Sequence, residues 1–314
     1  MRITVSTLLD ERTSATGDDA AATYAGHNLV FIVGCSRSGT TWLQRLLASH
    51  PQVSTGQESF LFYKYVGPQL RAWREELRRA SSGDPSAGRG GVGLSCYFRE
   101  EEFAAVLRSY MLRLLEPMIG NLQPSELFVE KSPQHALFIP EIKQLLPDSR
   151  VIHIMRDPRD VAASLMAASR SWGSKWAPRR PHRAARMWTQ HVRAVREDAK
   201  DLPASEYCEL KYEELWAAPE ATLKKVSDFL GLEWTGNTLQ DAVTANRAEA
   251  VRSGGGTPLR VYGEVAKRIG SVVREPADFV RSGRPGGWKH DLSPWERLVV
   301  WFIARKTMRE VGYS

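Results

Sequence analysis

The stretch GCSRSGTTW, Gly34 to Trp42, follows the apolar run LVFIV, Leu29 to Val33. A short continuous apolar run rich in β-branched residues and ending at a glycine reads as a buried strand. The loop after it fits the phosphate-loop spacing G-x-x-x-x-G-K-[ST] at every fixed position except one. Thr40 stands where the lysine belongs, and the loop's cation is Arg37. Glycines at 34 and 39 permit a tight turn that points successive N–H groups at an anion on the N-terminus of the next helix. Thr40 and Thr41 add hydroxyl donors in its first turn. Without the lysine, the loop lacks the charge that a transferred γ-phosphate requires. It is built for a smaller anionic load, such as one phosphate bearing a group of lower charge.

Working outward, strands and helices alternate. LFVEK, RVIHIM and YCELKY read as further strands, and helices are predicted from Thr40 over about ten residues and across PQLRAWREELRRA, REEEFAAVLRSYMLRLLEPM, FIPEIKQLLP and APEATLKKVSDFLG. This order predicts βαβ units and a parallel sheet covered on both faces. The fold class is therefore α/β, a phosphate-loop-like central parallel sheet flanked by helices in a single domain of residues 28–314. The polar, Ala/Thr-rich residues 1–27 are expected to form a mobile segment with no apolar signal region. SSGDPSAGRGGVG, Ser81 to Gly93, is a loop, and SPWE opens the last helix with Ser293 as cap and Glu296 closing a capping box.

The chain has 314 residues, 42% of them apolar and 25% charged, as in ordinary globular proteins. No apolar run approaches a membrane span. Its three cysteines, Cys35, Cys96 and Cys208, form no C-x-x-C pair, which argues against a disulfide framework and a zinc site. A cytoplasmic protein is the simplest reading, and high Arg and Ala usage hints at a GC-rich bacterial genome. The net charge of +7 fits an anionic small molecule as well as nucleic acid, and no nucleic-acid module accompanies it.

A second anion site is readable in VIHIMRDPRDVAASL. Arg156 closes a strand, Asp157 caps the next helix, Pro158 takes its first position, and Ser164 lies two turns in. Ligands in open parallel sheets bind outside the carboxyl ends of strands, so Arg156 faces the same crevice as the loop. The competing reading pairs Arg156 with Asp160 at the helix end. A third segment, FVRSGRPGGWKH (Phe279–His290), is a basic glycine-rich loop before the last helix, with Arg281 and Arg284 pointing to an anion.

Together these three segments resemble the sulfotransferases that use 3′-phosphoadenosine 5′-phosphosulfate (PAPS), over about residues 29 to 296. RSGTTW resembles the 5′-phosphosulfate loop of that family. RDPRDVAAS resembles its 3′-phosphate motif, with arginine and serine eight positions apart. RSGRPGGWK resembles its C-terminal R-K-G-x-x-G-x-W-K loop, with Ser282 where lysine usually stands, and KYEEL resembles its Y-E-x-L segment. The resemblance implies that Arg37, Ser38, Gly39, Thr40 and Thr41 bind the 5′-phosphosulfate and that Trp42 and Tyr212 lie by the adenine. It implies that Arg156 and Ser164 hold the 3′-phosphate, and that Arg281, Ser282 and Gly283 close over it. No metal is required.

For the reaction, Arg37 and Lys131 are the candidates for charge stabilisation, Lys131 by resemblance of EKSPQHA to the E/D-K-[ST]-P segment of the protein-tyrosine and bacterial branch. The K-T-H histidine of the cytosolic small-molecule branch has no counterpart. TGQESFLFY places Glu58 where the other branch carries its glutamate base, and a pocket of aromatic residues would raise its pKa. His135 is the second choice, His153 reads as core, and His50 as a helix end. Trp172, Trp176 and Trp188, among the arginines of Ser169–Trp188, are expected to form a lid or acceptor wall. The acceptor is expected to be a small-molecule, glycan or lipid hydroxyl. Two rivals are a phosphate-loop small-molecule kinase, opposed by the missing lysine and by Arg156 where an acidic residue would be needed, and a non-catalytic nucleotide-binding protein.

Overall fold

A computed structural model of the chain describes residues 24–81, 93–259, 267–268, 270–272, 275–276, 279–280 and 283–314. Strands β1 (Leu29–Val33), β2 (Val53–Thr55), β3 (Leu127–Lys131), β4 (Arg150–Met155) and β5 (Tyr207–Lys211) form one sheet. All its pairs are parallel, in the order β2-β3-β1-β4-β5. β1 lies at the centre, with Ile32 opposite Lys131 of β3 and Val33 opposite His153 of β4. Each residue of β1 is buried, as a strand covered on both faces requires. The chain leaves β1 toward β2 and β3 and later crosses to β4 and β5. The carboxyl end of β1 is thus the switch point where such sheets bind ligands.

Side-chain alternation along the strands builds two cores. Leu29, Phe31, Val33, Phe128 and Val151 point to one face, among Phe62, Met111 and Ile142. Val30, Ile32, Val129, Ile152 and Ile154 point to the other, against Leu43, Leu46 and Leu223. The helices are α1 (Thr40–Leu47), α2 (Gly67–Ser81), α3 (Glu100–Ile119), α4 (Ile139–Leu145), α5 (Pro158–Ser169), α6 (Pro181–Asp198), α7 (Tyr212–Ala217), α8 (Pro219–Leu230), α9 (Thr238–Ala245), α10 (Ala248–Arg252), α11 (Trp288–Asp291) and α12 (Pro294–Glu310). A third cluster, centred on Trp188 and Val300, joins α5, α6 and α12.

Several expectations need adjustment. α1 has 8 residues, shorter than anticipated. The sequence reading contains neither β2 nor the π-helical segment Leu61–Val66 that follows it. The mobile segment expected over 1–27 overlaps the fold at its end: Gly26 O accepts from Leu29 N at 2.9 Å and Ala25 O from Asp148 N at 2.9 Å. Residues 1–23 and 82–92 lie outside the described residues, and with them nearly all of the expected Ser81–Gly93 loop. The capping box of α12 is present, Glu296 Oε2 accepting from Ser293 N at 2.8 Å. Among the described residues, no helix is long and apolar enough to cross a membrane.

Candidate active site

The loop after β1 packs tightly on its neighbours. A Cβ on Gly34 would lie 2.4 Å from the Ile154 carbonyl oxygen, and one on Gly39 would enter the Tyr212 ring at 2.3 Å. Gly39 has φ 96 and forms the N-cap of α1 with no side-chain capping bond, which leaves the first-turn N–H groups available. Arg37 adopts φ 76, a left-handed conformation that costs a non-glycine residue about 1–3 kcal/mol. The Ser38 hydroxyl is buried without a hydrogen-bond partner. A buried hydroxyl is normally bonded, so this one marks a cradle for an acceptor.

On the β4 side, Arg156 is 8% exposed and lies over the Tyr212 ring, its Cζ 4.2 Å from the centroid. Its Nη2 donates to the Arg284 carbonyl at 3.1 Å, and its buried Nε has no partner. The competing ion pair with Asp160 is loose, at 3.9 Å. Asp160 instead accepts from the amides of Gly286 at 2.7 Å and Trp288 at 2.9 Å, and so anchors the C-terminal loop across the site. Asp157 caps α5 as anticipated, accepting from Arg159 N at 2.8 Å. Arg37 reaches over from the loop. Its Nε donates to Ser164 Oγ at 3.0 Å and its Nη2 to Phe279 O at 2.5 Å.

These groups open onto one cavity of about 850 Å³, including space open to solvent. Arg37, Gly39, Thr40, Thr41, Trp42, Arg156, Ser164, Tyr212 and Gly283 line it, and Ser38 lies buried in the same loop. Tyr212 stacks on Trp216 at 6.3 Å, meets Trp42 edge-on at 5.4 Å, and donates its hydroxyl to Gly283 O at 2.5 Å. Arg281 and Ser282 lie outside the described residues. The cavity also draws on residues that carried no motif, among them Arg45, Trp216 and Asn246. Arg45 donates to Thr257 O at 2.5 Å, and Asn246 Oδ1 accepts from Thr257 N at 2.8 Å, which ties the 246–257 segment to α1. An arginine one helical turn past a phosphate loop was the available signal. No carboxylate lines the cavity among the described residues.

On the β3 side, Lys131 is 6% exposed and its Nζ lies 2.5 Å from Glu58 Oε1. The polar partner of Glu58 is thus an ammonium, where an aromatic enclosure was expected. Three side chains of one short segment hold the strap that carries it. Glu130 Oε1 accepts from Ser59 N at 3.1 Å, from Ser59 Oγ at 2.6 Å and from Ser132 Oγ at 2.7 Å. Ser132 Oγ accepts from Phe60 N at 3.1 Å, and His135 Nε2 accepts from Phe62 N at 3.1 Å. These bonds fix Phe60 at φ 53, another left-handed non-glycine residue.

His135 itself corrects an expectation. It is 0% exposed, its Nδ1 lies 2.8 Å from Glu130 Oε2, and its ring packs edge-on against Phe31 and Phe62. With both nitrogens facing protein, it cannot reach an acceptor. Burial pushes the Glu130 carboxyl up, but the adjoining His135 and the hydroxyls of Ser59 and Ser132 outweigh it and hold the group at about 2.

The expected wall of tryptophans divides. Trp188 is wholly buried and donates to the Arg156 carbonyl at 2.9 Å, so it is core. The Arg37 guanidinium lies 5.2 Å from the Trp172 ring and 4.6 Å from the Phe279 ring, two rings that themselves meet at 5.3 Å, and Trp176 is 43% exposed. His153 is core, and His50, just past α1, is buried with Nε2 3.0 Å from Glu233 O.

The chain is similar to several known proteins. The protein-tyrosine sulfotransferase of Drosophila melanogaster is 24% identical over 274 residues, 80% of this chain and 50% of that protein. Protein-tyrosine sulfotransferase 1 of Danio rerio is 25% identical over 243 residues, 74% of this chain and 59% of that one. The chain spans between half and two thirds of the length of these curated relatives. A mouse sulfotransferase crystallised with PAP shares the fold, with TM-score 0.55 at 15% identity over 94% of this chain and 90% of that one. Residues 29–236 match the model of the sulfotransferase family, and the chain belongs to that family.

Proposed function

We propose that the chain transfers a sulfuryl group from PAPS to the hydroxyl of an acceptor. The observation that carries this reading is the pair of anion cradles at the ends of β1 and β4, opening into one cavity lined by arginines and stacked aromatic rings. That donor set fits a nucleotide with phosphate on both the 5′ and the 3′ side. Ser38, Gly39, Thr40 and Thr41 with Arg37 would hold the 5′-phosphosulfate, and Arg156 and Ser164 the 3′-phosphate. Arg281, Ser282 and Gly283 would cover it, with Trp42 and Tyr212 against the base. PAPS supplies an activated sulfuryl group whose leaving group is the 5′-phosphate of PAP, the 3′,5′-bisphosphate.

In the reaction, the acceptor oxygen bonds to sulfur as the bond from sulfur to the 5′-phosphate oxygen breaks. Glu58 takes the acceptor's proton. Lys131 and Arg37 stabilise charge on the reacting oxygens, and the N-terminus of α1 adds its dipole. Glu130, Ser132 and His135 are positioning residues: they hold the strap so that Glu58 stays against Lys131. Residues 28–314 act as one sulfotransferase domain.

A small-molecule, glycan or lipid hydroxyl fits, and the relatives named as protein-tyrosine sulfotransferases add the phenol of a tyrosine. Incubation with PAPS and a chelator, with 4-nitrophenol, a tyrosine peptide and a sugar in parallel, should release PAP in step with a sulfated product. Turnover of ATP that needs magnesium, without PAPS turnover, would transfer the assignment to the kinase rival.

A further inference from the structure

The last helix is apolar on two opposite sides. Val300, Ala304 and Met308 of α12 are buried against Trp188 and Val192 of α6. On the outside, Trp295, Leu298, Trp301 and Phe302 are 70%, 52%, 36% and 62% exposed. Helical spacing gathers these four into one stripe. Scattered apolar residues on a surface need no explanation, but a stripe with two tryptophans marks an interaction face.

The same stripe is basic. Arg305 falls seven residues after Leu298, Lys306 four after Phe302 and Arg309 seven after Phe302, and all three are exposed. Arg305 lies over the rings of Trp301 and Phe302, 5.5 and 4.7 Å from their centroids. The helix's carboxylates are Glu296, whose Oε2 is held by Ser293 N and Oγ at 2.8 and 2.9 Å, and Glu310 at its final position. The neighbouring α6 exposes Arg183, Arg186 and Arg193.

We propose that this face of α12 docks on an anionic membrane surface, lying in the interface without crossing it. Tryptophan and arginine both join an apolar body to a polar end, which suits the boundary between acyl chains and headgroups. Nearby cations add attraction to anionic lipid that decays within a Debye length. A second copy of the chain fits less well: pairing this stripe with its own copy brings together two faces that both carry Arg305, Lys306 and Arg309, with like net charge. An acidic groove on another protein would meet the cations but gives no reason for two exposed tryptophans.

The test is co-sedimentation of the full chain with vesicles of phosphatidylcholine alone or mixed with phosphatidylglycerol, at an ionic strength of about 0.1 M. Two variants accompany it, Trp295→Ser/Phe302→Ser and Arg305→Gln/Arg309→Gln, with thermal midpoints as the control for folding. The wild type should sediment with the anionic vesicles and weakly with the neutral ones. Each variant should bind at least about tenfold more weakly without loss of its thermal midpoint. No sedimentation with anionic vesicles, or variants that bind like the wild type, would overturn the proposal. So would a wild-type dimer that Trp295→Ser/Phe302→Ser splits in sedimentation velocity, which would reassign the face to a second copy.

Discussion

β3 and β4 flank β1 on opposite sides, and each presents a buried cation at or just past its carboxyl end. The two surroundings differ. Arg156 has an aromatic ring beneath it, a backbone carbonyl at one nitrogen and an unsatisfied Nε, while the nearest carboxylate, Asp160, is turned to backbone amides. Lys131 has a carboxylate directly on it. A buried guanidinium that lacks a close counter-ion is costly until an anion arrives, and so selects for one. A lysine–glutamate pair is already neutral and suits a site that moves a proton. On the proposed function, the carboxyl end of the sheet would thus carry a holding half beside β4 and a reacting half beside β3.

The sharpest way to break this division is Glu58→Gln. Sulfuryl transfer should fall by roughly 10²–10⁴-fold while PAP affinity stays at the wild-type value. Equal losses in both would move Glu58 into the holding half.

Next in size is Glu130→Gln. The Glu130 carboxyl is held at about 2 against an ordinary 4.5, a difference worth roughly 3 kcal/mol. Because the folded value is depressed, this stabilisation is present above pH 4.5 and is lost as pH falls toward 2. Urea midpoints of wild type and variant should be furthest apart near neutrality and should converge as pH falls toward 2. A gap that stays constant with pH would mean that Glu130 acts by shape alone.

Smaller effects separate crowding from backbone strain. Gly39→Ala should cost about 1–3 kcal/mol in stability and weaken PAP binding, since its Cβ enters the Tyr212 ring. Gly231→Ala, at φ 71 with open space around it, should cost only the backbone part and leave PAP binding alone. Arg156→Lys should lose about tenfold in PAP affinity, because an ammonium cannot reproduce the planar fork over Tyr212. Full retention would show that only charge matters there.

Much of the holding half is legible in the sequence. LVFIV and RVIHIM are long enough to read as buried strands, and the loop and the arginine–serine pair follow them directly, so local spacing places the ligand groups. The reacting half is harder to read because its contacts cross the chain. Glu58 meets Lys131 and Phe62 meets His135, each 73 residues apart, with no motif to announce the pairing. β2 is 3 residues long and carries no periodicity. His135 looks accessible in a polar SPQHA turn and is buried only because the strap at Phe60–Phe62 folds over it. Trp188 looks like an acceptor wall among arginines, yet α6 turns it inward while its arginines face solvent.

The most direct test is calorimetry of PAP and AMP against the wild type and Arg156→Ala, without magnesium and with ATP as a control. PAP should bind roughly 100-fold more tightly than AMP to the wild type, and Arg156→Ala should erase that preference while keeping the AMP affinity. Equal affinities for PAP and AMP in the wild type, or a magnesium-dependent preference for ATP, would contradict the assignment of the β4 side as a 3′-phosphate site.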